Sequence, residues 1–439
     1  MAALFAEGYK TDFPYWWEEA PPLASADLLP SSIDVAIVGG GYTGLAAALT
    51  LARLGRTVAV LEANLIGSGA STRNGGLISG GLKVPEKDLH RKYGKEAADA
   101  IVRSTVDSFF GLEDFIRDEG IECDYVRCGR FTPAWVPGHF RALGAKASHL
   151  ARLTGLPTRM VPRERQREAI GSDHYYGGMI VDASGSLHPA KYLKGLADLA
   201  RASGARLIDN AGVTGIDRSK GGFSLHTRKG EVFARDVLVA TNGYSMNGRG
   251  ESAFPWLARR LIPVGSYMIA TEPLDPALIR SLFPDRRTIS DTKRVLNYFR
   301  ASPDGTRVLW GGRASFSNIS AHEAAPTLHR YMTNAFPELK DVRITHAWTG
   351  NVAFSFDFMP HIGEHDGVHF AAGCQGSGVA MATWLGRHVA RKIGGDLDRP
   401  FALDLAEFPT KPFYDGRPWF LPAVGNWYRL ADTIERRLA

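Results

Sequence analysis

The residues that most constrain the chemistry are three glycines, Gly39, Gly41 and Gly44, and a carboxylate beyond them, Glu62. The glycines follow the apolar run 34–38 (DVAIV) and lead into GLAAALTLARLG, which has the pattern of a buried helix. In that order the first glycine permits a tight turn, the second lets a diphosphate approach the backbone, and the third lets helix and strand pack closely. The helix start at Tyr42 and Thr43 contributes free N–H groups and a partial positive charge for the phosphates. After Gly55, RTVAVLE reads as a second strand ending at Glu62. A carboxylate there accepts hydrogen bonds from both hydroxyls of an adenosine ribose and repels a 2′-phosphate, which disfavours NADP. The motif predicts a dinucleotide site and by itself leaves NAD and FAD open.

The next stretch, Ala63 to Gly81, is dense in Gly, Ser, Arg and Asn and lacks the helix expected of a nicotinamide domain. Its small residues let the chain run beside a long flat ligand and donate backbone N–H groups to it. Ala63, Gly69, Ala70, Ser71, Arg73, Asn74, Gly75, Gly76 and Leu77 are the candidates. A second strand–turn–helix reading lies near the C-terminus: residues 368–372, then Gly373, Gly376 and Gly378, then a helix from about Val379. A helix start aimed at a flavin stabilises the negative charge that reduction leaves at N1 and the C2 carbonyl. Ser377 is a possible donor in that turn, and Thr241 ends another apolar strand, DVLVATNG.

The combination IVGGGYTGLAAALTLARLG, VAVLEA and IGSGAS-x-RNGG resembles the glycine/D-amino-acid oxidase (DAO) family of FAD enzymes, and within it the γ-glutamylputrescine oxidoreductase branch. The similarity continues through CDYVRCGRF, YYGGMIVDASGSLHPAKYLKGLA, WTGNVAFSFDFMPHIG and GCQGSGVAMATWLGRHVA. The resemblance implies bound FAD, with the glycines on its diphosphate and Glu62 on its adenosine ribose. Arg73 to Gly76 would pass near the ribityl chain and ring, and the Val213 backbone would pair with adenine. The sequence departs from the family at Thr72, where a small residue is usual, and at Ser377, where the branch commonly carries histidine. Some relatives tether the flavin through a cysteine near what is here 310–316. That segment has none, so non-covalent FAD is expected and Cys374 is read as a small buried residue.

The implied fold is α/β: a Rossmann-like FAD-binding domain built from discontinuous segments, 30–85, 149–245 and 346–395. A mixed-sheet α+β substrate domain takes 86–148 and 246–345, and a tail, 396–439, packs across the FAD domain. Pro189 to Gly204 reads as an amphipathic helix before a strand, 97–121 as another packed helix, and the PDG turn at 303–305 as a hairpin. The chain's return from the substrate sheet places Tyr298, Arg300, Arg313, Trp348 and His361 near a cavity. Tyr298, Trp348 and His361 are the catalytic candidates, and Arg300 or Arg313 is the candidate grip for a substrate carboxylate.

Composition removes other classes. The 439 residues carry a formal net charge of +6, but the basic residues are dispersed and no nucleic-acid motif accompanies them. Three cysteines form neither a disulfide framework nor a metal cluster, which points to a reducing, cytoplasmic setting. The N-terminus lacks the pattern of a secretory signal. The uncharged run between Asp34 and Arg53 is interrupted by glycines and is not read as a membrane span. The expected reaction is oxidation of an amine C–N bond, by hydride transfer to flavin N5 and hydrolysis of the resulting imine. The small-molecule amine would be a γ-glutamyl-polyamine or another secondary amine, with O2 as the preferred acceptor and H2O2 as product. A deaminating D-amino-acid or glycine oxidase and a non-catalytic FAD-binding protein are the alternatives. Oligomeric state is left open.

Overall fold

The first βαβ unit forms where the motif requires it. In the computed structural model, which describes residues 4–82, 84–246, 249–396, 401–405 and 407–439, strand Ser32–Val38 pairs in parallel with Val58–Leu61, and helix Tyr42–Arg53 joins them. Residues 1–3 of the N-terminal stretch and 397–400 and 406 of the tail lie outside the described residues. Gly39 adopts φ +113°, which only glycine takes without strain. A Cβ on Gly44 would stand 1.9 Å from the Gly39 carbonyl oxygen, so this glycine fixes how closely the helix lies on its strand.

The sheet grows by parallel addition. Gly230–Val239 pairs with Ser32–Val38, Arg206–Ile208 with Val58–Leu61, and Val368–Ala372 with the end of Gly230–Val239. The hairpin Val213–Ser219 and Gly222–Thr227 completes the outer part. Helices Tyr42–Arg53, Pro189–Ala202 and Gly378–Gly394 pack in one apolar cluster on one face of this sheet. The α/β fold is therefore as expected.

The second layer is a nine-stranded mixed sheet among the described residues. Its central strands are Leu261–Thr271, Ile344–Ser355, Val308–Gly312 and Asn297–Ala301, the last two joined through the PDG turn. Directly paired residues face the same side and alternate along each strand. One face carries Phe131, Ile289, Phe299, Trp310 and Ile269 and is covered by helix Ala321–Ala335. The other face presents Trp348, Met268, Gly311, Tyr298 and Ser290 in one row, with Arg130 further along, and it looks toward the nucleotide sheet.

Sheet membership departs from the expected boundaries in three places. Strands Thr158–Val161 and Gly178–Val181 belong to the nine-stranded sheet, although 149–245 was expected to be nucleotide-binding throughout. Ile344–Ser355 is its longest strand, so the return at 346 comes too early. Phe5–Thr11, ahead of the expected first segment, pairs in parallel with Ile344–Ser355 at the sheet edge. These pairings join residues far apart in sequence, and no local pattern encodes them.

The tail also differs from the expected packing across the FAD domain. Phe401 and Leu403 join the nucleotide-side core, but helix Leu421–Arg437 docks beside the other sheet. Asp432 there accepts hydrogen bonds from the Arg294 and Val295 backbone N–H groups at 3.1 and 3.0 Å. Gly425 lies close against the Phe316 ring. Among the described residues no helix is long and apolar enough to cross a membrane.

Gly44→Ala tests the close helix–strand contact. Overpacking there is expected to cost about 1–3 kcal/mol and to reduce FAD retention, read by thermal unfolding and flavin absorbance. Full flavin content with an unchanged unfolding temperature would count against it.

Candidate active site

A cavity of 1120 Å³ runs between the two sheets. One end is walled by Glu62, Ala63, Val213 and Arg228, the middle by Gly39, Gly41, Tyr42, Thr43, Gly69, Ala70 and Ser71. The other end reaches Arg73, Asn74, Thr241, Asn242, Thr349–Val352, Cys374, Gly376 and Gly378. The order along the cavity matches that of adenosine, diphosphate and a flat ring system. The donors suit FAD: a helix start for phosphates, a carboxylate for ribose hydroxyls, and glycine backbone where the ligand needs close approach. Glu62 already bonds to the turn, accepting from Gly40 N–H at 2.7 Å and Asn64 N–H at 3.1 Å. It thereby ties the end of the second strand to the glycine turn.

Gly44 packs helix on strand and does not wall the cavity. Gly75, Gly76, Leu77, Gly373, Ser377 and Val379 also stand outside its wall. Gly373, at φ +77°, donates its N–H to Asn242 Oδ1 at 3.0 Å, which ties the C-terminal turn to the end of strand Gly230–Val239. Ser377 precedes helix Gly378–Gly394 without capping it through its side chain. Val379 is buried in the core beneath.

The run Arg73–Ser79 crosses beneath the inner face of the nine-stranded sheet and is bonded at nearly each step. Trp348 Nε1 donates to the Arg73 carbonyl at 2.9 Å, and Trp16 Nε1 donates to the Asn74 carbonyl at 2.8 Å. A Cβ on Gly75 would stand 3.1 Å from the Tyr298 ring. Arg300 Nη1 donates to the Gly76 carbonyl at 3.3 Å, and Arg130 Nη1 to Ser79 Oγ at 2.9 Å. Asn74 closes the turn from within, its Oδ1 accepting from Gly76 N–H at 2.8 Å and its Nδ2 donating to the Ser71 carbonyl at 2.9 Å. The hydroxyl of Thr72 donates to the Gly67 carbonyl and accepts from Trp17 Nε1 at 2.8 Å.

These contacts sort the expected side chains. Trp348 is buried and does not wall the cavity; its indole holds the Arg73 carbonyl. His361 is also fully buried, stacked on Phe408 at 4.0 Å with Nε2 3.1 Å from Asp357, away from the cavity wall. Asp357 bonds Ser355 Oγ, which accepts from Gln375 Nε2, so His361 meets the 373–378 turn only through intermediaries. The expectation that Arg300 grips a substrate is corrected. Its Nε donates to the Ala301 carbonyl at 2.9 Å and its Nη1 to the carbonyls of Leu187 and Gly76, so it serves buried backbone. Burial pulls its pKa down.

Tyr298 and Arg313 lie together on the inner face. Tyr298 shares a hydrogen bond with Ser266 Oγ at 2.9 Å, its ring covers Gly311, and burial pushes its hydroxyl pKa above the ordinary value. Arg313 stands among rings, and neither Tyr298 nor Arg313 is part of the cavity wall.

Sequence reasoning missed the N-terminal segment altogether. Asp12 pairs with Arg73 Nη1 at 2.7 Å, the Arg73 guanidinium lies over Trp17, and Trp16 and Trp17 bond the loop directly. The adjacent tryptophans were the available signal. Asn242, Tyr244, Arg228 and Asn351 were missed as well, since nothing in their local pattern points to a ligand.

Comparisons with known proteins agree with this arrangement. The family model for "FAD dependent oxidoreductase" (DAO) matches residues 34–392. The chain is 32% identical to γ-glutamylputrescine oxidoreductase of Escherichia coli K12, over 96% of this chain and 98% of that protein. It is 31% identical to a probable oxidoreductase of Rhizobium meliloti, again over 96% and 98%. Among solved structures, glycine oxidase from Geobacillus kaustophilus superposes with a TM-score of 0.71 at 22% identity, covering 87% of this chain and 99% of that one.

Arg300→Met removes the Arg300 donors from the Leu187 and Ala301 carbonyls and the second donor from the Gly76 carbonyl, which keeps the Leu187 N–H at 2.9 Å. A loss of about 3 kcal/mol in stability and weaker FAD retention are expected, with the same effect on amines that carry a carboxylate and those that do not. A carboxylate-selective rise in KM would return Arg300 to the substrate site.

Proposed function

This chain belongs to the FAD dependent oxidoreductase (DAO) family, and on that premise we propose that it oxidises the C–N bond of a γ-glutamyl-polyamine or another secondary amine. It is an FAD-dependent oxidoreductase of the class acting on amines or amino acids. The similarity to γ-glutamylputrescine oxidoreductase along nearly the whole of both chains supports the narrower substrate reading.

The observation that carries it is the neutral character of the ring end of the cavity. The wall there is formed by Asn242, Thr349–Val352, Cys374 and two glycines, and Arg73, the cation beside them, is held by Asp12 and by the Ser68 and Thr349 carbonyls. An α-amino acid carries its carboxylate on the reacting carbon, and a buried carboxylate needs a committed cation. A simple amine has no such requirement.

Bound non-covalently, FAD supplies the two-electron acceptor for the substrate C–H hydride, while nitrogen's lone pair closes the C=N bond that water later hydrolyses. The protein's contribution is to orient the C–H bond and exclude water. The apolar part of the inner face, with the Tyr298 ring packed behind Gly75, disfavours a charged nitrogen by desolvation, which lowers the pKa of the bound amine. Tyr298 stays protonated through neutral pH, because burial raises its pKa, and so offers a hydrogen bond while taking no proton. The cytoplasm is the proposed location, and O2 the proposed acceptor of the electrons.

An anaerobic panel of amines, followed by air, tests the reading. Bleaching of the flavin by γ-glutamyl-polyamines or secondary amines, and recovery of colour with H2O2 formation, is the expected result. Faster bleaching by glycine or D-amino acids supports a deaminating oxidase instead, and no bleaching by any amine supports a non-catalytic FAD-binding protein. The rate of flavin reduction should rise with pH along a single limb set by the substrate amine. Loss of that limb in Tyr298→Phe would show that Tyr298 titrates.

A further inference from the structure

Two arginines on the same face of the nine-stranded sheet meet opposite surroundings. Arg300 spends its donors on carbonyls. Arg313, just past the end of strand Val308–Gly312, is framed by rings: its guanidinium carbon lies 4.9 Å from the Phe354 centroid and 5.8 Å from that of Phe316. Tyr298 and Tyr428 are the side chains that act on its charge, and no carboxylate among the described residues does so. A guanidinium keeps its charge at neutral pH, and a desolvated charge costs free energy until an anion meets it. The rings contact the cation as π systems. Unlike the edge of Arg300, the fork of Arg313 makes no hydrogen bond to the protein among the described residues.

Its position relative to the cavity follows from register. Ser266 pairs with Gly350, and Tyr267 pairs with Gly312, so Arg313 falls in line with Ser266 and Gly350 across three neighbouring strands. Gly350 walls the ring end of the cavity. At strand spacing the backbone of Arg313 is about 10 Å from it along the sheet. Tyr298 stands between, bonded to Ser266 and lying against Gly75 and Gly311.

Resting on the amine-oxidoreductase reading, we propose that Arg313 determines specificity by binding a carboxylate at the far end of the amine substrate. The selected substrate has its reacting C–N bond at the ring end of the cavity and its carboxylate a chain's length away, on the inner face of the sheet. The aromatic frame keeps water from the guanidinium and fixes its plane for a bidentate pair. An α-amino acid is too short to span both places. A γ-glutamyl amide and a long ω-amino acid share the required chemistry.

The test uses the flavin-loaded enzyme. N-Butylglutaramate has the amide and the carboxylate but no oxidisable amine, and N-butylpentanamide lacks the carboxylate. Calorimetry should show tight binding of the first only. Arg313→Gln should weaken it by about 30-fold or more, and Arg313→Lys, which keeps the charge without the fork, should fall between. In anaerobic flavin reduction, a γ-glutamyl diamine should outperform its analogue lacking the carboxylate, chiefly through the concentration dependence, and Arg313→Gln should erase that preference. An undiminished carboxylate preference in Arg313→Gln overturns the proposal, as does equal binding of the two probes by the unaltered enzyme. If Arg313→Gln loses its flavin, Arg313→Lys decides by the same criterion. Failure of every amine to reduce the flavin, with the probe preference intact and dependent on Arg313, would sink the functional reading while leaving the carboxylate site standing.

Discussion

The backbone of Arg73–Gly76 is caught between two layers of the protein, and its polar groups must find partners there. Buried carbonyl groups without donors are costly, and this run is rich in small residues that cannot shield them. The side-chain partners come from three separate parts of the chain, Trp16 from the N-terminal segment, Trp348 from the longest strand of the nine-stranded sheet and Arg300 from its hairpin, and the Leu187 N–H joins them at Gly76. The same bonds tie the N-terminal segment and the nine-stranded sheet to a run whose Arg73 and Asn74 wall the cavity.

This constraint explains why aromatic and cationic residues on the inner face cannot be assigned roles by type alone. Trp348 and Arg300 look like ligand-binding residues, yet they serve buried backbone, the Arg73 carbonyl for Trp348 and the Gly76, Leu187 and Ala301 carbonyls for Arg300. His361 looks like an acid–base group and is instead stacked on Phe408 beside Asp357. Tyr298 and Arg313 share the inner face, with an aromatic frame around the cation.

The two ends of the chain have related tasks. The N-terminal segment adds an edge strand to the nine-stranded sheet and then fastens Thr72 and Asn74 through two adjacent indoles. The C-terminal helix closes the same layer from the other side, contributing Tyr428 to the surroundings of Arg313 and pressing Gly425 against Phe316. The surroundings of Arg313 therefore depend on a segment that the nucleotide motif says nothing about.

The sequence by itself determined the nucleotide half: strand, glycine turn, helix, second strand and Glu62, then the second turn at 373–378. Each is encoded within a short window, because glycine conformations, helix starts and β-branched runs are local properties of the chain. The helix at Pro189–Ala202 and the hairpin at 303–305 were legible for the same reason. Tertiary structure alone decided which strands form the second sheet, where its segments begin, and which of Arg300 and Arg313 has donors to spare. Those outcomes depend on register between strands up to hundreds of residues apart and on competition for buried carbonyls. Neither leaves a pattern in the neighbouring sequence.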